Sequence, residues 1–146
     1  MNKIRFGVVG TNFITDWVMA GAREDDRFEL AAVCSRTKER AEEFAAKHNI
    51  PHIFTSLEEM AASDKVDAIY IASPNYAHAE QSILCMNNGK HVLCEKPMAA
   101  NVREARRMVE CSRKNGVTLM EAMKSTLSPN FLAAKANLNR IGTPRR

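Results

Sequence analysis

The sequence predicts an α/β fold in which helices cover both faces of a doubly wound parallel sheet. Short apolar runs recur along the chain, and segments with the apolar spacing of amphipathic helices separate them. This alternation requires right-handed crossovers between parallel strands. We therefore expect six strands in the order 3-2-1-4-5-6.

The predicted strands are the apolar runs, each bounded by polar or turn-forming residues. They cover residues 4–9, 30–34, 53–54, 66–72, 91–94 and 117–120, the third being a brief edge strand. Helical patterns cover residues 14–22, 38–48, 77–88, 101–115 and 129–140, with a short further helix after Ser56. Ser56 and Glu59 have the spacing of a reciprocal capping box, and Gly116 is expected to end the preceding helix in the left-handed conformation.

The composition is typical of an ordinary globular domain. The chain has 146 residues, of which 45% are hydrophobic and 26% charged, and its four cysteines have no paired CxxC spacing. We expect reduced, mostly buried thiols in a cytoplasmic protein, because the apolar start ends at Gly10, too early for a signal peptide or membrane span. Acidic and basic residues are interleaved despite a net charge of +4, so neither a nucleic acid nor a membrane is expected as a partner.

The first predicted strand ends in a turn that suits a phosphate group. A Rossmann fold has a tight turn at this position, where backbone amides at a helix N-terminus approach a pyrophosphate. Gly10 matches the first glycine of the GxGxxG pattern, whereas Asn12 and Thr15 occupy the other two positions. Asparagine tolerates positive φ, and a threonine hydroxyl near a helix start can bond a free amide. We select Gly10, Thr11, Asn12, Phe13 and Ile14 as cofactor-binding residues, with a ligand-free turn as the alternative.

Basic residues follow the second predicted strand. NAD-binding folds have an acidic residue here for the ribose hydroxyls, but this chain has Ser35 and Arg36. A guanidinium offers paired donors to phosphate oxygens, and a serine adds a donor without the repulsion of a carboxylate. The pattern therefore favours NADP, with NAD as the second choice and Arg40 as a further phosphate contact. A solvated loop charge is the alternative interpretation of Arg36.

Two more polar segments lie at the carboxyl ends of predicted strands, where open α/β sheets place their ligands. Ser73, Pro74 and Asn75 follow the fourth strand, with His78 three residues on, and Glu95, Lys96 and Pro97 follow the fifth. A lysine directly after a buried strand has its ammonium near this cleft. The alternatives are an exposed turn pair at Glu95 and Lys96, and a ligand-free helix residue at His78.

A metal site is not expected. His48 and His52 have metal-like spacing, but Pro51 lies between them and no nearby carboxylate completes a ligand set. We therefore predict a protein without a bound metal.

The order of these motifs resembles the glucose-fructose oxidoreductase and inositol dehydrogenase (Gfo/Idh/MocA) family, over essentially the whole chain. The matching features are the turn at Gly10, Ser73-Pro74-Asn75 with His78, Glu95-Lys96-Pro97, and Glu121-Ala122 followed by Pro129. The Glu-Lys-Pro step is the most specific of them. The resemblance implies that Lys96 is catalytic and polarises or deprotonates a substrate hydroxyl beside the nicotinamide. It also implies that Glu95 positions the nicotinamide side, and that Asn75 and His78 line the nicotinamide ribose.

The resemblance further implies two domains. Residues 1–121 correspond to a dinucleotide-binding Rossmann domain, and residues 122–146 to the start of a substrate domain that is missing beyond its first helix. The family's acid and base partners of the lysine come from that second domain and have no match here. We expect an NADP(H)-dependent oxidoreductase that acts on a CH–OH group of a sugar, polyol or similar small molecule.

That enzyme is expected to be a homo-oligomer when full length, and the 146-residue chain alone is expected to bind dinucleotide without turnover. Its final helix should present Phe131, Leu132 and Leu138 to the missing sheet. A dinucleotide-binding sensor or regulatory module without turnover is the alternative.

Overall fold

The computed structural model describes residues 3–142 and has the predicted alternation of strands and helices. The strands are β1 (Ile4–Val9), β2 (Phe28–Cys34), β3 (His52–Phe54), β4 (Ala68–Ile71), β5 (His91–Cys94) and β6 (Leu119–Glu121). The helices are α1 (Phe13–Ala22), α2 (Lys38–His48), α3 (Leu57–Ala62), α4 (His78–Asn87), α5 (Val102–Asn115), α6 (Pro129–Ala136) and α7 (Leu138–Ile141). Short 3-10 helices at Asn75–Ala77 and Lys124–Leu127 complete the described elements.

The sheet confirms the predicted topology. Within residues 3–142, six strands form one sheet in the order β3-β2-β1-β4-β5-β6, and every neighbouring pair is parallel. The chain moves outward from β1 to β3, returns to β4 on the other side of β1, and moves outward again. The carboxyl ends of β1 and β4 therefore flank the crevice in which sheets of this type bind ligands.

The core consists of two apolar layers, one on each face of the sheet. Alternate residues of a strand point to opposite faces, so Ile69 and Ile71 of β4 join the layer beneath α3, α4 and α5, whereas Tyr70 joins the layer beneath α1 and α2. All four residues of β4 are buried. This burial on both faces explains why the central strands have continuous apolar runs in the sequence.

The helix ends agree with the sequence signals in most places. Gly116 ends α5 at φ 64°, in the predicted left-handed conformation. The capping box at Ser56 is only half formed: its hydroxyl oxygen accepts the Glu59 amide at 3.2 Å, but the hydroxyl donates to Glu58 Oε2 at 2.9 Å. The predicted return bond, in which the Ser56 amide donates to the Glu59 carboxylate, is not formed among the described residues.

The prediction of one helix over residues 129–140 is wrong. Helix α6 ends at Ala136, and α7 begins at Leu138 after a break at Asn137. The Asn137 side-chain amide donates to the Ala133 carbonyl at 2.8 Å and closes the last turn of α6. The side chains of residues 129–136 and 138–140 are exposed, including Phe131, Leu132 and Leu138 as expected. In the described part of the chain, no helix is both long enough and apolar enough to cross a membrane.

Candidate cofactor and active site

The turn after β1 requires glycine at position 10. Gly10 has φ +98°, and a Cβ there would lie 2.6 Å from the carbonyl oxygen of Ala72, which follows β4. An L side chain is disfavoured by that backbone conformation and excluded by that contact. Gly10 therefore allows the ends of β1 and β4 to approach closely beside the N-terminus of α1.

Asn12 works differently from the sequence prediction. Its φ is −97°, so tolerance of positive φ is not the reason for asparagine here. Its side-chain oxygen caps α1 by accepting the amides of Ile14 and Thr15 at 2.9 and 3.3 Å, and its side-chain NH₂ donates to Ala72 O at 2.9 Å. The Thr15 hydroxyl donates to the Gly10 carbonyl at 2.9 Å instead of bonding a free amide. Asparagine and threonine thus hold the turn that glycines form in GxGxxG.

Unpaired backbone amides remain at this helix start. Within residues 3–142, the amides of Thr11, Asn12 and Phe13 have no hydrogen-bond acceptor. Such amides, aligned with the positive end of the ten-residue helix α1, form a site for an anion. The turn therefore fits the pyrophosphate of a dinucleotide, because Gly10 has no side chain to block the approach of the phosphates to the backbone.

The turn borders a cavity of about 410 Å³, which we call the Arg36 cavity. Its polar lining includes Gly10, Ser35, Arg36 and Ser73, and Pro74 also lines it. Arg36 is exposed and forms no ion pair with any described residue. Its guanidinium is therefore available to an anionic group of a ligand.

Arg40 and Asn75 lie outside the Arg36 cavity. Arg40 lines a neighbouring cavity of about 310 Å³ together with Thr11, Asp16 and Lys47. Lys47 and His48 donate to Asp16 and lower the pKa of its carboxyl, so this acid is already paired with side chains of α2. Asn75 is exposed on the 3-10 helix Asn75–Ala77 and lines neither cavity.

The first turn of α1 borders another cavity, of about 590 Å³, which we call the Lys96 cavity. Ile14 of α1, Lys96 and Glu95 line it, together with the exposed Trp17. Trp17 packs edge-on against Phe13 with ring centroids 5.3 Å apart. Most of the remaining lining residues are apolar, and many of them come from β6 and the segment that follows it. They are Val18, Leu93, Met120, Glu121, Ala122, Met123, Lys124, Ser125 and Leu127.

Glu95 anchors the segment after β5. The Tyr70 hydroxyl donates to Glu95 Oε1 at 2.7 Å, and the Lys96 backbone amide donates to Glu95 Oε2 at 3.0 Å. Burial, followed by this contact with Glu95, raises the pKa of Tyr70, so its phenol stays a proton donor. Glu121 anchors the same segment at Met98, two residues after Lys96: its Oε1 accepts the Met98 amide at 2.8 Å.

The Lys96 side chain is exposed, in contrast to its anchored backbone. Among residues 3–142, no carboxylate lies within ion-pair distance of its ammonium. Both neighbouring glutamates contact backbone amides instead. Lys96 lines its cavity without an ion-pair partner among the described residues, so its side chain is available to a ligand there.

The placement of His78 corrects the expectation that it lines a ribose. His78 is completely buried, and its ring nitrogens contact two backbone carbonyls: Nδ1 lies 2.8 Å from Pro97 O, and Nε2 lies 2.9 Å from Ser73 O. Neither nitrogen is left for a ligand. The ring instead lies between the segments that follow β4 and β5.

Sequence reasoning missed Tyr70, Trp17 and the anchoring role of Glu121. Tyr70 is a buried residue of an otherwise aliphatic strand, and a buried phenol needs a hydrogen-bond partner. That need was the signal in the sequence that a polar residue such as Glu95 would contact the Tyr70 hydroxyl. Trp17 lies three residues after Ile14, so the two share a helix face, which the spacing alone indicates.

Buried cysteines beside the site are unsuited to be nucleophiles. Cys34 and Cys94 each end a strand that leads into a cavity segment, and burial raises the pKa of both thiols to about 11. They remain protonated near neutral pH. All four cysteines are free, and none of the described residues form a cluster of three or more potential metal ligands.

Comparison with known proteins agrees with this geometry. A model of the Gfo/Idh/MocA family, described as an oxidoreductase family with an NAD-binding Rossmann fold, matches residues 4–123. The chain is 57% identical over 143 residues to the scyllo-inositol 2-dehydrogenase (NADP(+)) of Bacillus subtilis (strain 168), covering 98% of this chain and 44% of that protein. It is 40% identical over 134 residues to the trans-1,2-dihydrobenzene-1,2-diol dehydrogenase of Mus musculus, covering 90% of this chain and 40% of that protein.

Solved structures show the same fold. A 3-ketoreductase from Actinomadura kijaniata, in complex with NADP and TDP-benzene, superposes with a TM-score of 0.88 at 29% identity, covering 95% of this chain and 43% of that one. The WlbA dehydrogenase from Bordetella pertussis, in complex with NADH and UDP-GlcNAcA, superposes with a TM-score of 0.88 at 30% identity. This match covers 95% of this chain and 42% of that one. The chain thus spans less than half the length of these relatives. On the match of its residues 4–123, the chain belongs to the Gfo/Idh/MocA family of oxidoreductases with an NAD-binding Rossmann fold.

Proposed function

We propose that this chain is the cofactor-binding part of an NADP(H)-dependent oxidoreductase and supplies its catalytic lysine, Lys96. The observation that carries the proposal is that residues at the start of α1 line two cavities. Gly10 lines the Arg36 cavity, and Ile14 lines the Lys96 cavity. A dinucleotide with its pyrophosphate on the free amides of Thr11, Asn12 and Phe13 would extend one half into each cavity.

The choice of NADP rests on Ser35 and Arg36. A 2′-phosphate in the Arg36 cavity would meet a guanidinium that has no other ionic partner among the described residues. The relative from Bacillus subtilis is named as NADP-dependent, and the 3-ketoreductase structure contains NADP. The WlbA structure contains NADH, so family membership alone does not decide the cofactor.

The proposed chemistry divides between cofactor and protein. NADP(H), when bound, accepts or supplies a hydride. As a neutral amine, the side chain of Lys96 would take the hydroxyl proton of the substrate during oxidation and become an ammonium, and as an ammonium it would return that proton during reduction. The Glu95 carboxylate accepts hydrogen bonds from the Tyr70 hydroxyl and the Lys96 backbone amide. It therefore does not form an ion pair with the Lys96 side chain.

The substrate we propose is a small molecule with a secondary hydroxyl, such as a cyclic polyol or sugar. Support comes from the names of the relatives, which act on an inositol and on a cyclic diol. The mostly apolar lining of the Lys96 cavity, including Trp17, suits the C–H face of such a ring. We further propose that residues 1–121 form the dinucleotide domain, and that residues 122–146 begin a substrate domain.

The departure from GxGxxG at Asn12 is the sequence feature that favours a binding module without turnover. The cap that Asn12 forms on α1 weakens this argument, because the turn keeps its close approach and its free amides. We therefore favour the enzyme.

Calorimetric titration of the chain with NADP⁺ and NAD⁺ tests the cofactor proposal. We expect NADP⁺ to bind at least about tenfold more tightly, because a charge-assisted hydrogen bond contributes roughly 1.5–3 kcal/mol. The substitution Arg36→Ala should remove the preference. Arg106→Ala on α5 is the matched control, since Arg106 is also exposed but lines neither cavity. Equal affinity for the two cofactors, or an Arg36→Ala variant that keeps the preference, contradicts the proposal.

A further inference from the structure

One buried side chain joins the two polar segments of the site. His78, the first residue of α4, is completely buried, and its ring nitrogens contact the carbonyls of Ser73 and Pro97. Ser73 lines the Arg36 cavity, and Pro97 directly follows Lys96. The imidazole therefore connects the backbone beside one cavity with the backbone beside the other.

These contacts are more specific than core packing requires. Both ring nitrogens face carbonyl oxygens, and each hydrogen bond needs an N–H of the ring as its donor. A neutral imidazole has one N–H and donates to one carbonyl in each tautomer, whereas the protonated ring donates to both. Within residues 3–142, neither carbonyl accepts a hydrogen bond from any other group. An apolar side chain of similar size would leave both partly buried carbonyls without this hydrogen-bond donor.

Besides a longer contact of Cys94 Sγ with the Met98 carbonyl at 3.8 Å, three side chains anchor the segment around Lys96 in the described structure. Glu95 accepts the Lys96 amide, Glu121 accepts the Met98 amide, and His78 contacts the Pro97 carbonyl. Glu95 and Glu121 are themselves at the ends of β5 and β6. His78 alone among the three comes from α4, and it alone also contacts the segment after β4.

We propose that His78 is a positioning residue that fixes the backbone from which Lys96 enters its cavity. The ring holds the Lys96 segment against the Ser73 segment and thereby sets the distance between the two cavities. The importance of this for catalysis rests on the proposed function, in which Lys96 exchanges the substrate proton.

Hydrogen exchange on the 146-residue chain, measured for individual amides by NMR, tests the proposal. In His78→Met, the Lys96 and Met98 amides should exchange about tenfold faster, the upper range for loss of one hydrogen bond, while the amides of β1 and β2 keep their rates. Met86→Ala is the control, because Met86 is buried on the same helix and contacts neither segment by a hydrogen bond. Its effect should spread over all core amides. A similarly uniform effect of His78→Met would overturn the proposal.

Two conservative variants separate the ring's hydrogen bonds. The side-chain NH₂ of His78→Asn can occupy the position of Nδ1, and that of His78→Gln the position of Nε2. We expect His78→Asn to restore protection at Met98, because Nδ1 faces Pro97, and His78→Gln to leave Met98 fast. Equal behaviour of the two variants would show that the contact with Pro97 does not hold the segment.

The same samples distinguish this proposal from the proposed function. If the chain fails to bind NADP⁺, the cofactor proposal fails, but the exchange rates still report whether His78 holds the segment. If NADP⁺ binds and His78→Met leaves Met98 protected, only the positioning role fails. In the active enzyme, His78→Met should lower kcat by about tenfold or more with little change in KM for NADP⁺, and His78→Asn should recover most of it. Equal kcat values for wild type and His78→Met would also contradict the role.

Discussion

Replacement of Gly10 by alanine should damage both the stability of the fold and cofactor binding. The new Cβ would lie 2.6 Å from Ala72 O, and ordinary contact begins near 3.4 Å, so the two groups must separate by about 0.8 Å. That carbonyl also accepts the Asn12 side-chain NH₂ at 2.9 Å. Any separation therefore disturbs the residue that caps α1, next to the amides proposed to bind pyrophosphate.

The magnitude can be worked from these contacts. A non-glycine residue at positive φ costs roughly 1–2 kcal/mol. Overpacking costs typically about 1–3 kcal/mol, and a lost hydrogen bond about 0.5–1.5 kcal/mol. We expect Gly10→Ala to lower the free energy of unfolding by about 3 kcal/mol. Gly116→Ala should lower it by only about 1 kcal/mol, because Gly116 has φ +64° but no atom within 4 Å of the Cβ position.

Urea denaturation of wild type, Gly10→Ala and Gly116→Ala provides the stability comparison. Titration with NADP⁺ then shows whether the turn still binds, and we expect at least a tenfold loss of affinity in Gly10→Ala alone. The reasoning is refuted if Gly10→Ala is as stable as Gly116→Ala and binds NADP⁺ like wild type.

Further expectations concern the lysine, the thiols and the ion pairs. In the active enzyme, Lys96→Met should lower kcat at least about 100-fold with NADP⁺ affinity nearly unchanged; a near wild-type rate would make Lys96 structural. A thiol reagent near pH 7.5 should label Cys111 first, since burial raises the pKa of the other three thiols to about 11 or 12; rapid labelling of all four would contradict this. Arg5 donates to Asp67 and lowers its carboxyl pKa, so the stabilisation is complete above about pH 4 and is lost as pH falls through the lowered value. Asp67→Asn should flatten this acid dependence in urea denaturation, and an unchanged slope would assign it to other groups.

The sheet was predictable because its signals are local. Apolar runs such as residues 30–34 and Ala68–Ile71 are bounded by polar or turn-forming residues, and the crossover rule then leaves few strand orders. The break between α6 and α7 at Asn137 was harder to predict from the sequence. It depends on a side-chain amide that competes with the helix for the Ala133 carbonyl, in a helix with no buried face to enforce continuity.

The candidate site was predictable by segment but not by side-chain role. The carboxyl ends of β1, β2, β4 and β5 meet at one sheet edge, so Gly10, Arg36, Ser73 and Lys96 were expected near one another. Whether a given side chain enters the cleft depends on contacts distant in sequence. The inward position of His78 depends on its contact with the Pro97 carbonyl, 19 residues later in the sequence. The position of the Glu95 carboxylate depends on the Tyr70 hydroxyl, 25 residues earlier.

In the proposed enzyme, NADP(H) lies across the α1 N-terminus with its nicotinamide in the Lys96 cavity. Trp17 is the chain's single tryptophan and lines that cavity, so its fluorescence reports on it directly. We expect saturating NADP⁺ to quench Trp17, whereas 2′,5′-ADP, which has the 2′-phosphate but no nicotinamide, should bind without quenching. The contrary result is NADP⁺ binding, confirmed by calorimetry, that leaves Trp17 emission unchanged or changes it no more than 2′,5′-ADP does.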